Sequence, residues 1–296
     1  MQEIAESTCW ICKSGGLQLV RSGALPKDLS STSFAITDAN YGVTADIYKC
    51  PKCGFLECCN LNQTLAFYED LEDPGYELGR AERKLQSQKL LDRVIPFRKT
   101  GRLLDIGAGS GILVEAAAES GYDAVGVEPS RWLQKKAVEH NLPVHLGVFP
   151  HSDVTGKFDV VTFVDVIEHV PIPVELLAEI RSALKPDGYV LIVTPDVSSL
   201  AARMLSWKWW HFRIAHIGYF NHSTLYAAIE NAGLQKVAVF RPGWYFRGGY
   251  LWDRVMQYVP GVLRLGCPGF VSRMVIPLNL FDSIGVVCTP KPNSSK

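Results

Sequence analysis

Leu103-Leu104-Asp105-Ile106-Gly107-Ala108-Gly109-Ser110-Gly111 is an apolar run closed by an acid and followed by three glycines at alternate positions. The run has the character of a strand buried on both faces, and Ile112 to Ser120 that of the helix after it. Glycine lets a backbone turn tightly, take positive φ and approach a ligand with no side chain between. A strand, glycine loop and helix in this order bind a nucleotide-like group at the carboxyl end of a sheet. The dinucleotide fingerprint G-x-G-x-x-G fits poorly, because the spacing here is Gly107-x-Gly109-x-Gly111 with Asp105 two residues ahead.

The second apolar run, Asp123 to Glu128, ends in a carboxylate 17 positions after Gly111, where an acid can accept two ribose hydroxyls. Phe158 to Val164 is a further strand of buried type and leads into Asp165-Val166-Ile167-Glu168-His169-Val170. Ile172 to Leu184 has helical periodicity, and Leu184-Lys185-Pro186-Asp187-Gly188 turns into a strand over Val190 to Thr194. Leu234 to Phe240 and Ser283 to Thr289 are expected as a closing pair of strands. The alternation alone indicates a doubly wound α/β domain.

The glycine stretch closely resembles motif I, D-x-G-x-G-x-G, of the class I S-adenosylmethionine methyltransferases. The later segments are similar to that family's F-D-V-V…D-V-x-E-H and L-K-P-x-G features. The resemblance implies a Rossmann-like seven-stranded sheet and S-adenosylmethionine as cofactor. It implies that Asp105 holds the methionine amino group and that Gly107, Ala108, Gly109 and Gly111 pass beneath the cofactor. Glu128 would take the ribose, with Pro129 and Asp165 completing that site.

Cys9-Trp10-Ile11-Cys12 and Cys50-Pro51-Lys52-Cys53 are two C-x-x-C knuckles separated by 37 residues. Four thiolates in tetrahedral array make a closed, structural zinc site, so Cys9, Cys12, Cys50 and Cys53 are the expected ligands. A redox role is weaker, since thioredoxin-type motifs occur once and at a helix start. Of the remaining cysteines only Cys58 is a plausible substitute ligand. The expected organisation is a zinc ribbon over residues 1–66, a linker or lid helix over 67–100 and a methyltransferase domain over 101–296. Within the linker, Tyr76 to Val94 reads as one helix; Tyr68 and Tyr76 are within reach of cofactor or substrate, although packing between domains is the more ordinary role for either. A cap insertion is expected at about 241–281.

The chain of 296 residues is 47% hydrophobic, enough for a full core, and has zero net charge. No apolar run reaches the ~18 residues of a spanning helix, and nothing at the amino terminus resembles a secretory signal, so a cytoplasmic location is expected. Residues 1–75 hold 5 basic and 10 acidic groups, which disfavours delivery of nucleic acid by the ribbon. Thr194-Pro195-Asp196 also fails to match the N/D-P-P-Y/F motif of many amino-methylating nucleic-acid enzymes. RNA methylation is therefore a minority reading. Five arginines among aromatic and aliphatic residues in 241–281 suit a cleft cap, a phosphate or glycan clamp, or peripheral contact with the inner face of a membrane.

Trp207 to Leu225 is rich in aromatic and imidazole groups, and its end resembles the H-x-x-Y-F…S/T-x-L segment of bacterial small-molecule and sugar methyltransferases. Ser223 or Asn221 is the expected cap of the helix that follows. Imidazoles suit proton removal near neutral pH, so His169 and His216 are the candidate bases. These features favour O-methylation of a small hydroxylated or sugar-containing acceptor, with C-methylation open. A phenol or quinone O-methyltransferase is the alternative, and a non-catalytic binding or scaffold protein of the same fold is the reading from another class.

Overall fold

The computed structural model describes residues 7–26, 28–37, 41–61, 64–256 and 259–292. The amino-terminal segment carries β1 (Gln18–Arg21), β2 (Ile47–Lys49) and β3 (Leu56–Glu57), followed by α1 (Leu65–Glu69), α2 (Pro74–Leu78) and α3 (Arg80–Leu91). Then β4 (Gly101–Ile106), α4 (Ile112–Glu119), β5 (Tyr122–Glu128), α5 (Arg131–Glu139), β6 (Val144–Leu146) and β7 (Phe158–Val164) alternate. They are followed by α6 (Pro173–Ala183), β8 (Leu184–Pro195), α7 (Leu200–Leu205), β9 (Gly218–Tyr219), α8 (His222–Asn231) and β10 (Leu234–Phe240). Before the last strand, β13 (Ser283–Pro290), the chain makes β11 (Trp244–Arg247), α9 (Gly248–Met256), α10 (Gly269–Ser272) and β12 (Val275–Leu278).

The central sheet has seven strands in the order β10-β13-β8-β7-β4-β5-β6. β13 runs antiparallel to both neighbours, and the other adjacent strands are parallel. Successive strand residues point to opposite faces, which explains the unbroken apolar runs. Leu103 and Leu104 are both fully buried, one packing with α3 and α4 and the other with α6 and α8. Every parallel strand therefore ends at one edge, and the glycine loop lies there.

The helix expected over Tyr76 to Val94 is divided at Gly79 into α2 and α3. Glycine is the weakest non-proline helix former, and here it closes one helix and precedes the next. Asp73 caps α2 by accepting from the Tyr76 amide at 3.0 Å, and it also accepts from the Thr37 hydroxyl at 2.5 Å. Arg80 and Lys84 reach Glu115 on α4 at 2.5 and 2.7 Å. Such partly exposed pairs stabilise by only about 0.2–1 kcal/mol each, so their main effect is to hold α3 across α4.

The amino-terminal segment is fused to the α/β body through shared backbone and core. β3 pairs with β9, Leu56 opposite Tyr219 and Glu57 opposite Gly218. Trp10, Ile11, Ile47 and Phe55 join one core with Phe163, Phe220 and Leu225. Asn221 caps α8 by accepting from the Thr224 amide at 2.9 Å, while the Thr224 hydroxyl accepts from the Asn221 amide at 3.0 Å. Among the described residues, no helix is long and apolar enough to cross a membrane.

Candidate functional site

At the carboxyl edge of β4, Gly107, Gly109 and Gly111 take φ values of +74°, +56° and +78°. These are left-handed conformations that side chains other than glycine adopt at a cost. The Gly107 and Ala108 amides both donate to the Val127 carbonyl at 3.0 Å, which seats the turn on β5. A Cβ on Gly109 would lie 2.9 Å from the Tyr76 hydroxyl, so α2 closes directly over the glycine turn.

Three carboxylates line this edge. Asp105 and Glu128 are almost fully buried, and among the described residues neither has a cationic partner within ion-pair distance. The Thr162 hydroxyl donates to Asp105 Oδ1 at 2.6 Å. Glu128 accepts from the Gly109 amide at 2.7 Å and the Ser130 amide at 2.8 Å. A carboxylate has about four lone-pair directions, so two of those on Glu128 remain for a ligand. Burial pushes both acids up to about 7, against the opposing pull of these hydrogen bonds. Pro129 follows Glu128 and lines a cleft of about 260 Å³ with Leu65, Leu146 and Val148.

Asp165, at the end of β7, has φ +51° and a buried Oδ1 with no hydrogen-bond partner among the described residues. Burial pushes it up to about 7, opposed by the nearby Arg83 guanidinium. That guanidinium stacks over the Tyr76 ring at 4.1 Å. Asp105, Glu128, Asp165, Tyr76 and the glycine turn thus surround one edge of the sheet.

Beyond Asp165 lies an imidazole cluster. The rings of His169 and His216 meet edge to face at 4.8 Å, and His211 stacks on His216 at 5.5 Å. His169 Nδ1 is 2.7 Å from both the Ala215 carbonyl and the Tyr68 hydroxyl. His211 Nε2 faces Asp282 at 3.6 Å, and Trp210 donates to the same carboxylate at 2.9 Å. Burial pushes all three imidazoles down, His169 to about 4, so they are neutral near pH 7.

Residues 79–239, more than half of the chain, match the family model of a methyltransferase domain. The chain belongs to that family. A ubiquinone biosynthesis O-methyltransferase of Haemophilus ducreyi is 34% identical over 116 residues, covering 35% of this chain and 49% of that protein. The protein of the same name from Methylococcus capsulatus is 36% identical over 113 residues, covering 36% and 47%. The chain thus spans about half the length of these curated relatives. A solved S-adenosylmethionine-dependent methyltransferase from Archaeoglobus fulgidus shares the fold, with a TM-score of 0.51, 19% identity and coverage of 73% of this chain and 100% of that one.

Outside this methyltransferase domain, Cys9, Cys12, Cys50 and Cys53 bring their sulfurs within 4.8 Å of one another. Cys9 and Cys53 are 3.5 Å apart, and Cys12 and Cys50 are 3.6 Å apart. A tetrahedral zinc–thiolate set with bonds of about 2.3 Å has sulfurs about 3.8 Å apart, whereas a disulfide needs about 2.05 Å. The donor set fits a four-thiolate metal site. The Ile11 and Cys53 amides point at Cys9 and Cys50 sulfurs, at 3.4 and 3.5 Å. Cys58 lies outside the cluster, buried beside the Tyr219 hydroxyl, which corrects its reading as a substitute ligand.

The sequence reading did not single out Glu168, Arg83, Arg213 or Asp282. Glu168 had a visible signal, because it precedes His169 in the family-like segment. Asp282 had a weaker one, as one of only three acids after residue 200.

Proposed function

We propose that this protein transfers a methyl group from S-adenosylmethionine to a hydroxyl of a small phenol- or quinone-type acceptor. The observation that carries the reading is the pair of buried carboxylates, Asp105 and Glu128, set around a left-handed glycine turn without a cation of their own. A cationic cofactor with an amino group and two vicinal ribose hydroxyls complements that pair. Asp105 is assigned to the amino group, Glu128 to the ribose, and Asp165 to the methionine end. The Pro129 cleft is assigned to the base, with Ala108 and the three glycines forming the floor.

When bound, the cofactor supplies an electrophilic methyl on a sulfonium, so the chain's own task is alignment, exclusion of water and proton removal. Tyr76 covers the turn and Tyr68 fixes His169, which together close the edge from the amino-terminal side. His169 and His216 are assigned to the hydroxyl of the acceptor, where neutral imidazoles offer lone pairs.

The relatives' names favour the phenol or quinone acceptor over a sugar or glycan, and no comparison supports the sugar. Nothing beyond the exposed apolar and arginine side chains of 241–281 supports peripheral membrane contact. We further propose zinc as the ion of the four thiols, in a structural role.

Calorimetric titration with S-adenosylmethionine and S-adenosylhomocysteine tests the cofactor assignment, followed by methylation assays on catechols and hydroxylated quinone precursors. Micromolar cofactor binding with methyl transfer to a phenolic oxygen supports the reading. Absence of cofactor binding by folded protein sinks it and leaves a non-catalytic module.

A further inference from the structure

Glu82 and Gln86 stand one helical turn apart on α3 and are 4% and 6% exposed. β11 packs on this helix, and Arg247 at the end of β11 donates through Nε to Glu82 Oε1 at 3.0 Å. The other Glu82 oxygen, Oε2, has no hydrogen-bond partner among the described residues. Neither Oε1 nor Nε2 of Gln86 has one either. Three polar atoms are therefore buried unpaired on one face of one helix.

Stability alone does not account for them. A buried polar atom without a partner is costly, whereas an apolar side chain of the same shape fills the place without that penalty. The next residue on the same face is Leu90, 2% exposed, which joins Leu91, Val164 and Trp244 in one apolar cluster. The face also borders the proposed acceptor edge. Val164 ends β7 immediately before Asp165, and Arg83, beside Glu82, lies over the Tyr76 ring at 4.1 Å and pulls on the Asp165 carboxyl.

We propose that Glu82 and Gln86 bind hydroxyl groups of the acceptor other than the one that is methylated, and so select a polyhydroxylated ring. A hydroxyl can donate to Glu82 Oε2 while its oxygen accepts from the Gln86 amide nitrogen, and a second hydroxyl can donate to Gln86 Oε1. A site that must pair such groups rejects an analogue lacking the hydroxyl, because its own atoms then stay unpaired. The atoms are covered in this structure, so a ligand reaches them when β11 parts from α3. Arg247, which ties that seam, is 53% exposed and exchanges readily with water. Recognition of hydroxyls stands on the unpaired atoms; that the hydroxyls belong to a methyl acceptor rests on the methyl-transfer reading.

Pyrogallol, with three adjacent hydroxyls, and phenol, with one, are titrated into the full, folded chain with and without S-adenosylhomocysteine and followed by ligand-observed NMR. Wild type should bind pyrogallol at least tenfold more tightly than phenol. The preference should vanish in Gln86→Met, which keeps the side-chain length and removes both polar atoms, and in Glu82→Gln, which keeps the shape. Gln86→Met should also melt at a higher temperature than wild type while binding S-adenosylmethionine equally well. A lower melting temperature for folded Gln86→Met would mean that the amide is paired within the protein and overturns the proposal. Wild type without the preference, or variants that retain it, overturn it as well. Wild type that prefers pyrogallol but binds no S-adenosylmethionine leaves the hydroxyl site standing and sinks the methyl-transfer reading alone.

Discussion

Asp105→Asn separates what the buried acid contributes to the fold from what it contributes to the cofactor. Asn keeps the volume and the oxygen that accepts from the Thr162 hydroxyl at 2.6 Å, so the change removes charge and little else. Burial raises the Asp105 pKa from an ordinary 3.8 to about 7. Between these values the native state binds more protons than the unfolded state, so wild-type stability falls as pH rises. Above pH 7 the penalty is complete, and at about 1.4 kcal/mol per pH unit it reaches a ceiling of roughly 4 kcal/mol. Asp105→Asn should therefore match wild type near pH 4 and become the more stable protein by pH 8.

Cofactor binding should move in the opposite direction. A cationic ligand selects the ionised acid, which is about one part in ten at pH 6 and about nine in ten at pH 8 for a pKa near 7. Asp105 and Glu128 each supply about tenfold, so wild-type affinity for S-adenosylmethionine should rise about a hundredfold over that interval, with proton release. In Asp105→Asn only the Glu128 tenfold should remain, on a binding constant already weakened. Thermal denaturation and calorimetry in two buffers of different ionisation enthalpy measure both arms. A variant no more stable than wild type at pH 8, together with pH-independent wild-type affinity, would refute the burial argument.

Gly109→Ala forces a left-handed alanine, about 1–2 kcal/mol, and places its Cβ 2.9 Å from the Tyr76 hydroxyl. Cofactor affinity should drop at least tenfold, and adding Tyr76→Phe should restore part of it; no recovery would show that Tyr76 is not the obstacle. Purified protein should contain one zinc by elemental analysis, released when thiols are titrated. Cys50→Ser should lower the melting temperature, and zinc-free native protein of unchanged stability would remove the metal from the account. Asn221→Ala opens the capping box of α8 and should cost about 1 kcal/mol in denaturant unfolding, with a value near zero placing the cap's worth elsewhere.

The central strands were legible because each is buried on both faces and so must be apolar, as Leu103 and Leu104 show, whereas the short edge strand β6, with its exposed Leu146, was not read from the sequence. The glycine turn and its two carboxylates were legible because a left-handed turn and a ligand-facing acid restrict residue type at fixed spacing. The break at Gly79 was missed, since helical periodicity continues across it and a single glycine within a helical pattern does not by itself mark a break. The contacts of Glu168 and Asp282 were not legible either, because their partners are distant in sequence. Asp282 meets Trp210 across 72 residues, and Glu168 meets Thr194 across 26. Periodicity reports which face a residue occupies, and says nothing of which remote polar group waits there.

The thiol-bearing segment also has a route to the acceptor edge that its spacing did not suggest. The Cys58 amide donates to the Ile217 carbonyl at 2.8 Å, and β3 continues the backbone pairing into β9. Arg213 reaches back to the Ala35 and Ile36 carbonyls, and Tyr68 reaches forward to His169. The loop carrying His211 and His216 is therefore held on both sides by the amino-terminal residues. A mobile imidazole loop would blur any geometry required for aligning an acceptor, and a misplacement of 1 Å can cost about a hundredfold in rate. On this argument, loosening the thiol cluster should reduce acceptor methylation more than cofactor affinity, because Asp105, Glu128 and the glycine turn rest on β4, β5 and β7 and need nothing from β3. Zinc depletion that weakens S-adenosylmethionine binding as strongly as turnover would show that the segment supports the sheet itself rather than the histidine loop.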